Sequence, residues 1–325
     1  MKQHLNQDNM PRILEIGFCC SGMPENFADA FDTEHVRFST HPFGYSAIKE
    51  IDLTSKYNIT QPLKKYVISI SDMESRLKNF YKFIKIIKDY DILHFHFNSN
   101  FPLYFDFIIY KMMKKKIILH YRGDDIRNKS YKNFFSFFAD KIFVSTVDLL
   151  KYAPKRAIWI PNIIDLEKYQ FIGTIKRNNT VKIVHAPSNW VTKGTDIILE
   201  SVALLKGKGY NIDFILVENK TQDEAISFYK SADIVIDQIN PKIGVYGNVS
   251  IENMALGKPV ICTINTEYDI FFPDLPIVRA TAENLTEKME LLIINPDLRF
   301  ELGRSGRDYV ERYHNIRKLK INFKL

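Results

Sequence analysis

Cysteine is scarce in this chain, with Cys19 and Cys20 adjacent and Cys262 alone in an apolar stretch. An odd number at no framework spacing excludes a disulfide scaffold and a cysteine-based metal centre, and it suits a reducing cytoplasm. Cys19 and Cys20 are expected to pack as small hydrophobes at a strand end. Long apolar runs are missing too: the longest, FPLYFDFIIYKMM at 101–113, is interrupted by Asp106 and falls short of the roughly 20 residues a spanning helix needs. It reads as a buried helix. The polar opening MKQHLNQDNMPRILEIGF lacks the continuous apolar core of a secretory signal, so export is not expected. Neither half has Gly-x-Gly-x-x-Gly after its first strand, which removes a dinucleotide oxidoreductase. No period of about 20 to 50 residues recurs, which removes solenoids and propellers.

What is present is globular in character, with 46% hydrophobic and 26% charged residues over 325 positions, a length that favours two domains. The net charge of +7 is unevenly spread. The stretch RLKNFYKFIKIIK at 76–88 has no acid, and on a helix Phe80, Phe83 and Ile87 share one face with lysines flanking it. Such a helix can lie on an anionic bilayer surface or pack into a core behind a solvated basic face, and the sequence leaves both open. A second basic stretch sets Arg304, Arg307, Arg312, Arg317, Lys318, Lys320 and Lys324 against Asp308 and Glu311. No nucleic-acid motif accompanies it, so no nucleic-acid partner is expected.

Apolar runs alternate with helical patterns along the first half: RILEIGF, a basic helix near 70–90, DILHFHF, a helix near 101–114, KIILHY, a helix near 131–139, KIFVST and RAIWIPN. Continuous apolar strands separated by helices imply a parallel sheet covered on both faces. After a polar stretch at 167–180 the same grammar restarts with VKIVHAP, a helix at 195–207, IDFILVE, a helix at 222–231, DIVIDQI, a short helix after 248, PVICTI and PIVRA. A helical tail follows, broken at Pro296 and loosened at Gly303 and Gly306. The expected fold class is therefore α/β with two Rossmann-like doubly wound domains facing a cleft: residues 1–166, residues 167–306, and a tail from 307 to 325 that can cross back to the first domain.

The stretch VYGNVSIENMALGKPVI at 245–261 carries the chemistry. Gly244 and Gly247 let the backbone approach a ligand, and the helix start that follows offers free amides and a dipole to a phosphate. Glu252, one turn in, cannot itself favour a phosphate. Its two acceptor oxygens match a ribose diol, at roughly 1.5 to 3 kcal/mol per charge-assisted bond. It would equally serve as a first-turn acid, worth about 0.3 to 1 kcal/mol.

Residues 181–310, and most specifically ADIVIDQINPKIGVYGNVSIENMALGKPVI, resemble the nucleotide-sugar domain of retaining GT-B glycosyltransferases of the family-4 type, also called glycosyltransferase group 1. In that family a strand ending in Ala-Asp and apolars leads to a glycine loop, a helix with a ribose-binding glutamate, and Met-Ala, a small residue, Gly-Lys-Pro-Val. The resemblance implies that Glu252 contacts the donor ribose, with Tyr246, Gly247 and Asn248 beside it. It also maps Lys193, before Gly194 and a helix capped by Thr195 or Asp196, onto the lysine that stabilises the departing diphosphate. Two departures stand out. Many members have a further glutamate eight positions before the first, where this chain has Gly244, and an arginine where Ser188, Asn189 and Trp190 stand. Ser188 and Asn189 are then expected at the donor phosphates.

The resemblance is weaker in the first half, covering DILHFHF, ILHYRGDDIR and IPNIID. It makes His94, His96 and His120 candidates. His94 and His96 alternate on a strand and share a face; no Cys, Asp or Glu lies at ligand spacing, so no metal is expected, and His120 is the residue expected to enter the cleft and act in catalysis. Arg122 with Asp124 or Asp125 should order the loop and help bind acceptor or sugar. Asn162 falls where the chain passes near the donor, or is a turn residue after Pro161. Gly22, in the loop CCSGMPEN, can bring backbone amides to the phosphates or simply serve a tight turn.

The resemblance implies an enzyme, cytoplasmic on its cysteine use, that moves a sugar from a nucleotide-sugar to a hydroxyl of a glycan or lipid-linked glycan, with retention and without a metal or other cofactor. A sugar-nucleotide epimerase and a non-catalytic sugar-nucleotide-binding subunit are the alternatives on the same fold.

Overall fold

The computed structural model describes residues 11–17, 22–38, 47–53, 70–96, 106–123, 125–127, 136–173 and 179–317, and side chains in the helix from Ile70 only from residue 77 onward. Cys19, Cys20 and Asp124 lie outside the described residues, as do positions 101–105 and 131–135 of two expected helices. The chain divides into two compact units, one of residues 1–145 with 149–160 and the other of residues 146–148 with 161–325.

In the first unit the elements run β1 (Ile13–Gly17), α1 (Met23–Phe31), β2 (Glu34–Arg37), β3 (Glu50–Asp52), α2 (Ile70–Ile86), β4 (Ile92–His96), α3 (Asp106–Met112), β5 (Lys116–Tyr121), β6 (Lys141–Val144) and β7 (Ile158–Trp159). All seven strands are parallel, in the order β3-β2-β1-β4-β5-β6-β7. The strand order reverses between β1 and β4, and ligands of open α/β sheets bind at such a switch point, beyond the carboxyl ends of the strands. There Gly17, at φ 121°, pairs with His96. A Cβ at Gly17 would stand 2.4 Å from the His96 carbonyl oxygen, so no other residue fits without moving backbone. Strand β4 is buried at every position, His94 and His96 included. Helix α1 follows a left-handed Gly22 and has Pro24 in its first turn, where a missing N–H costs nothing. Short, polar β2 and β3 escape the sequence reading because their runs are too brief to show a period.

The second unit contains β8 (Val181–His185), α4 (Trp190–Lys193), α5 (Thr195–Gly207), β9 (Ile212–Leu216), α6 (Gln222–Ser231), β10 (Ile234–Ile236), α7 (Asn248–Ala255), β11 (Val260–Cys262), β12 (Val278–Arg279), α8 (Leu285–Ile294) and α9 (Pro296–Tyr313). Its five parallel strands follow the order β12-β11-β10-β8-β9, with the reversal between β8 and β10. Ile183, Ile198, Ile234, Ile236, Ile261 and Met289 form the centre of its core. Cys262 is a buried free thiol whose pKa burial pushes up. Helix α6 begins with a capping box, Thr221 accepting from the Glu224 amide while Glu224 accepts from the Thr221 amide. The helical tail is broken at Pro296 as expected, α8 ending at Ile294 and Pro296 opening α9, but Gly303 and Gly306 do not loosen it: α9 runs unbroken past both. A Cβ at Gly303 would lie 2.0 Å from the Gly257 carbonyl oxygen, so this glycine is where α9 meets the end of α7.

Candidate functional site

The switch point of the second unit gathers charge. Asp237, one residue past β10, is fully buried. Its Oδ1 accepts from the Lys193 Nζ at 2.5 Å, and its Oδ2 accepts from the Gly247 amide at 2.9 Å and the Ser250 hydroxyl at 2.6 Å. Burial alone would raise this carboxyl; the Lys193 ammonium, Ser250 and Gly247 outweigh it and hold the pKa below the ordinary value. Lys193 is the last residue of α4, and its carbonyl accepts from the Ile239 amide at 3.0 Å. Gly247 is the N-cap of α7. The lysine and the glycine expected at a diphosphate therefore stand together, joined by a carboxylate the sequence reading did not single out. The available signal was an acid directly after the apolar IVI of DIVIDQI.

Gly194 separates α4 from α5, at φ 69°, as C-cap of one and N-cap of the other. Neither Thr195 nor Asp196 caps α5. The Thr195 hydroxyl meets the His185 Nε2 at 3.0 Å, and Asp196 accepts from the Trp190 Nε1 at 2.8 Å. Asn189 caps α4 by accepting from the Thr192 amide at 2.8 Å, while Ser188 is exposed beside it. Burial lowers the His185 pKa to about 4 despite a hydrogen bond with the Ile236 carbonyl, so at neutral pH it adds no charge beneath the site.

Glu252 lies in α7 and is 8% exposed, more enclosed than the sequence reading expects. Its Oε1 accepts from the Tyr169 hydroxyl at 3.0 Å and the Gln222 amide at 3.4 Å, and Gln222 also donates to the Tyr169 oxygen at 2.7 Å. Neither partner was expected. Tyr246 points inward: its hydroxyl meets Tyr309 at 3.2 Å and the His314 Nε2 at 3.0 Å, which spends its side chain on packing α9. Asn162 and Asn248, both expected near the donor, are joined by a hydrogen bond of 2.7 Å from Nδ2 to Oδ1. Gly244 sits at φ 58° with the Asn265 side chain 2.2 Å from where a Cβ would be, so a tight turn accounts for it.

At the switch point of the first unit, Glu15, His94, His96 and His120 are all buried. Glu15 Oε2 lies 2.6 Å from His96 Nε2 and 2.8 Å from His94 Nδ1. The guanidinium of Arg122 reaches the Nδ1 of His96 and, at 3.2 Å, the Nδ1 of His120. Burial drives the pKa of His96 and His120 well below the ordinary value, aided by neighbouring His94 and Arg122, so both rings are neutral and accept from Arg122. His120, the residue expected to enter the cleft, is fully buried with Arg122 on its Nδ1. The three histidines bring ligand atoms within 4.8 Å of one another, His94 and His96 from β4 and His120 from β5, whose pairing with β4 sets His120 beside His96. The guanidinium already lies on two of these rings, and its charge opposes a divalent ion there. Asp125 accepts from the Arg122 amide at 3.1 Å and the Gly123 amide at 2.7 Å, which orders the loop as anticipated. Gly22 is the left-handed N-cap of α1.

Residues 170–319 match the model of a family described as glycosyl transferase-like. Comparison with curated protein sequences gives no match. Among solved structures, sucrose-phosphate synthase of Thermosynechococcus elongatus aligns at 14% identity over 96% of this chain and 97% of its own, with a TM-score of 0.67. HepE of Anabaena, in complex with UDP-glucose, aligns at 12% identity over 96% and 98%, with a TM-score of 0.65. A protein described as a UDP-N-acetylglucosamine 2-epimerase of Listeria monocytogenes aligns at 12% over 96% and 94%, with a TM-score of 0.51. Residues 170–319 are thus similar to a glycosyl transferase-like family, and the two Rossmann-like units of the chain give it the GT-B fold.

Proposed function

We propose that the protein transfers a glycosyl group from a nucleotide-sugar to a hydroxyl of a glycan or lipid-linked glycan, with retention at the anomeric carbon. The observation that carries this reading is the meeting of Lys193, Gly247 and the start of α7 at the switch point of a glycosyl transferase-like domain. As the bond from the anomeric carbon to the diphosphate breaks, its electron pair moves to the phosphate oxygens. A fixed ammonium and helix amides stabilise that growing charge more than they stabilise the bound donor. They stand where a divalent ion otherwise neutralises a diphosphate, so the reaction is proposed to need no resident metal. Glu252, held on one oxygen by Tyr169 and Gln222, is the proposed ribose contact, with Asn162 and Asn248 beside the donor.

In the first unit Arg122 is the proposed contact to acceptor or sugar, because it is only partly buried, while His96, His120 and Asp125 hold it in place. The exposed face of α2, with Leu77, Tyr81, Lys78, Lys82 and Lys85, is the proposed contact with an anionic membrane carrying a lipid-linked acceptor. No helix among the described residues is long and apolar enough to cross a membrane. The cytoplasmic placement expected from cysteine use belongs to the same proposal.

A thermal-shift panel of UDP-, GDP-, ADP- and CMP-sugars tests the donor site. One nucleotide class should raise the melting temperature of the wild type, and Lys193→Ala and Glu252→Ala should each abolish most of that shift. A panel without effect, or a shift retained in both variants, would sink the reading. Product analysis separates the epimerase favoured by the Listeria likeness, because an epimerase turns over its nucleotide-sugar without any acceptor.

A further inference from the structure

Asp237 has no place in the reaction just described, yet it touches both Lys193 and the first turn of α7. We propose that Asp237 is a positioning residue: with one carboxylate it ties the Lys193 ammonium to the first turn of α7 and sets both before a diphosphate arrives. The inference rests on the reading of the second unit as a nucleotide-sugar site and adds to it the residue that assembles the site.

Three observations lead there. The Lys193 side chain is 15% exposed and that of Asp237 is not exposed at all, so an arriving ligand meets the cation first and the carboxylate lies behind it. An ammonium has three protons, and Asp237 takes one, which leaves two for a ligand. Both partners are pinned by backbone: the Asp237 amide donates to the Ile261 carbonyl at 3.0 Å and the Lys193 carbonyl accepts from Ile239 at 3.0 Å. A free lysine would sample many rotamers, and fixing them in advance removes that entropy from the binding step. Finally, a Cβ at Gly247 would lie 3.5 Å from Asp237 Oδ2 and 3.7 Å from Lys193 Nζ. A side chain there would cover the ammonium, and glycine leaves it reachable.

The sign of one substitution decides the matter. Coulomb's law alone says that removing a carboxylate beside an anion site tightens the binding of an anion. Positioning says the reverse. Calorimetric titration of UDP, GDP, ADP and CDP into the wild-type chain first identifies the nucleoside diphosphate it binds. Asp237→Asn should then weaken that binding roughly tenfold, and the double variant Lys193→Met/Asp237→Asn should bind no more weakly than Asp237→Asn, because the lysine no longer contributes once it is unheld. Unchanged or tighter binding by Asp237→Asn overturns the proposal while leaving the donor site intact. A wild type that binds none of the four diphosphates overturns the donor site itself. Should Asp237→Asn fail to fold, Ser250→Ala removes one of the two hydrogen bonds to Oδ2 without changing charge. It should weaken binding about threefold, and only when Lys193 is present; an equal loss without Lys193, or no loss, refutes the positioning role.

Discussion

Gly194 shows how much one residue decides. Its φ of 69° lets α4 end and α5 begin with this one residue between them, and the α4 end is what delivers Lys193 to Asp237. A Cβ would stand 2.6 Å from the Ile239 carbonyl oxygen, and backbone cannot yield there as a flexible side chain would. Gly194→Ala should therefore cost about 2 kcal/mol or more, from left-handed strain plus the clash, read as a lower urea midpoint. A loss below about 0.5 kcal/mol would show that α4 shifts freely. The Lys-Gly pair is legible in the sequence. The roles of Thr195 and Asp196 are not, because either could cap a helix and only the fold hands Thr195 to His185 and Asp196 to Trp190.

At the scale of elements, periodic helices and apolar strands follow from their own residues. The helix expected at 195–207 and that at 222–231 form with those bounds. Helix α2 is more instructive, since one pattern allowed two fates. Phe83 and Ile87 are wholly buried, and Phe80 packs against the same core. The face expected to enter a bilayer is thus spent inside the unit, leaving Leu77 at 62% and Tyr81 at 61% exposure among lysines. Membrane contact through this helix then rests chiefly on charge. Binding to vesicles with about 30% anionic lipid should fall at least fivefold in a Lys78→Glu/Lys82→Glu/Lys85→Glu variant, and should fall with added salt. Equal sedimentation of wild type and variant would remove α2 from the interface.

For the whole molecule, buried histidines set the response to acid. Burial lowers His314 to about 4 despite a hydrogen bond with the Asn162 carbonyl, as it lowers His185. Both titrate near 6.5 when unfolded. Between those values the unfolded chain binds more protons, so their contribution is complete above pH about 6.5 and is lost as pH falls towards 4, on the order of 3 kcal/mol each. His35, in the first unit, opposes this trend: burial would lower it, but Glu50 and Glu25 raise it overall, so its contribution is lost as pH rises. The two tryptophans separate the units, Trp159 lying in the first and Trp190 in the second. In Trp159→Phe, Trp190 fluorescence should report a urea midpoint that drops steeply from pH 7 to pH 4.5. A flat midpoint would mean that these histidines are already protonated in the folded chain.

The sequence by itself determined the α/β class, the two successive sheets and most of the helices, and singled out Lys193 and Glu252 as candidates, because periodicity, glycines and local motifs act over a few residues. Only the tertiary structure decided that Asp237 holds Lys193, that Glu252 is enclosed by Tyr169 and Gln222, and that Glu15, three histidines and Arg122 share one buried network. Lys193 and Asp237, Tyr169 and Glu252, and Glu15 and His96 lie 44, 83 and 81 residues apart and meet only through the fold. Local pattern carries no information about which distant strand ends become neighbours; the packing of the whole sheet does.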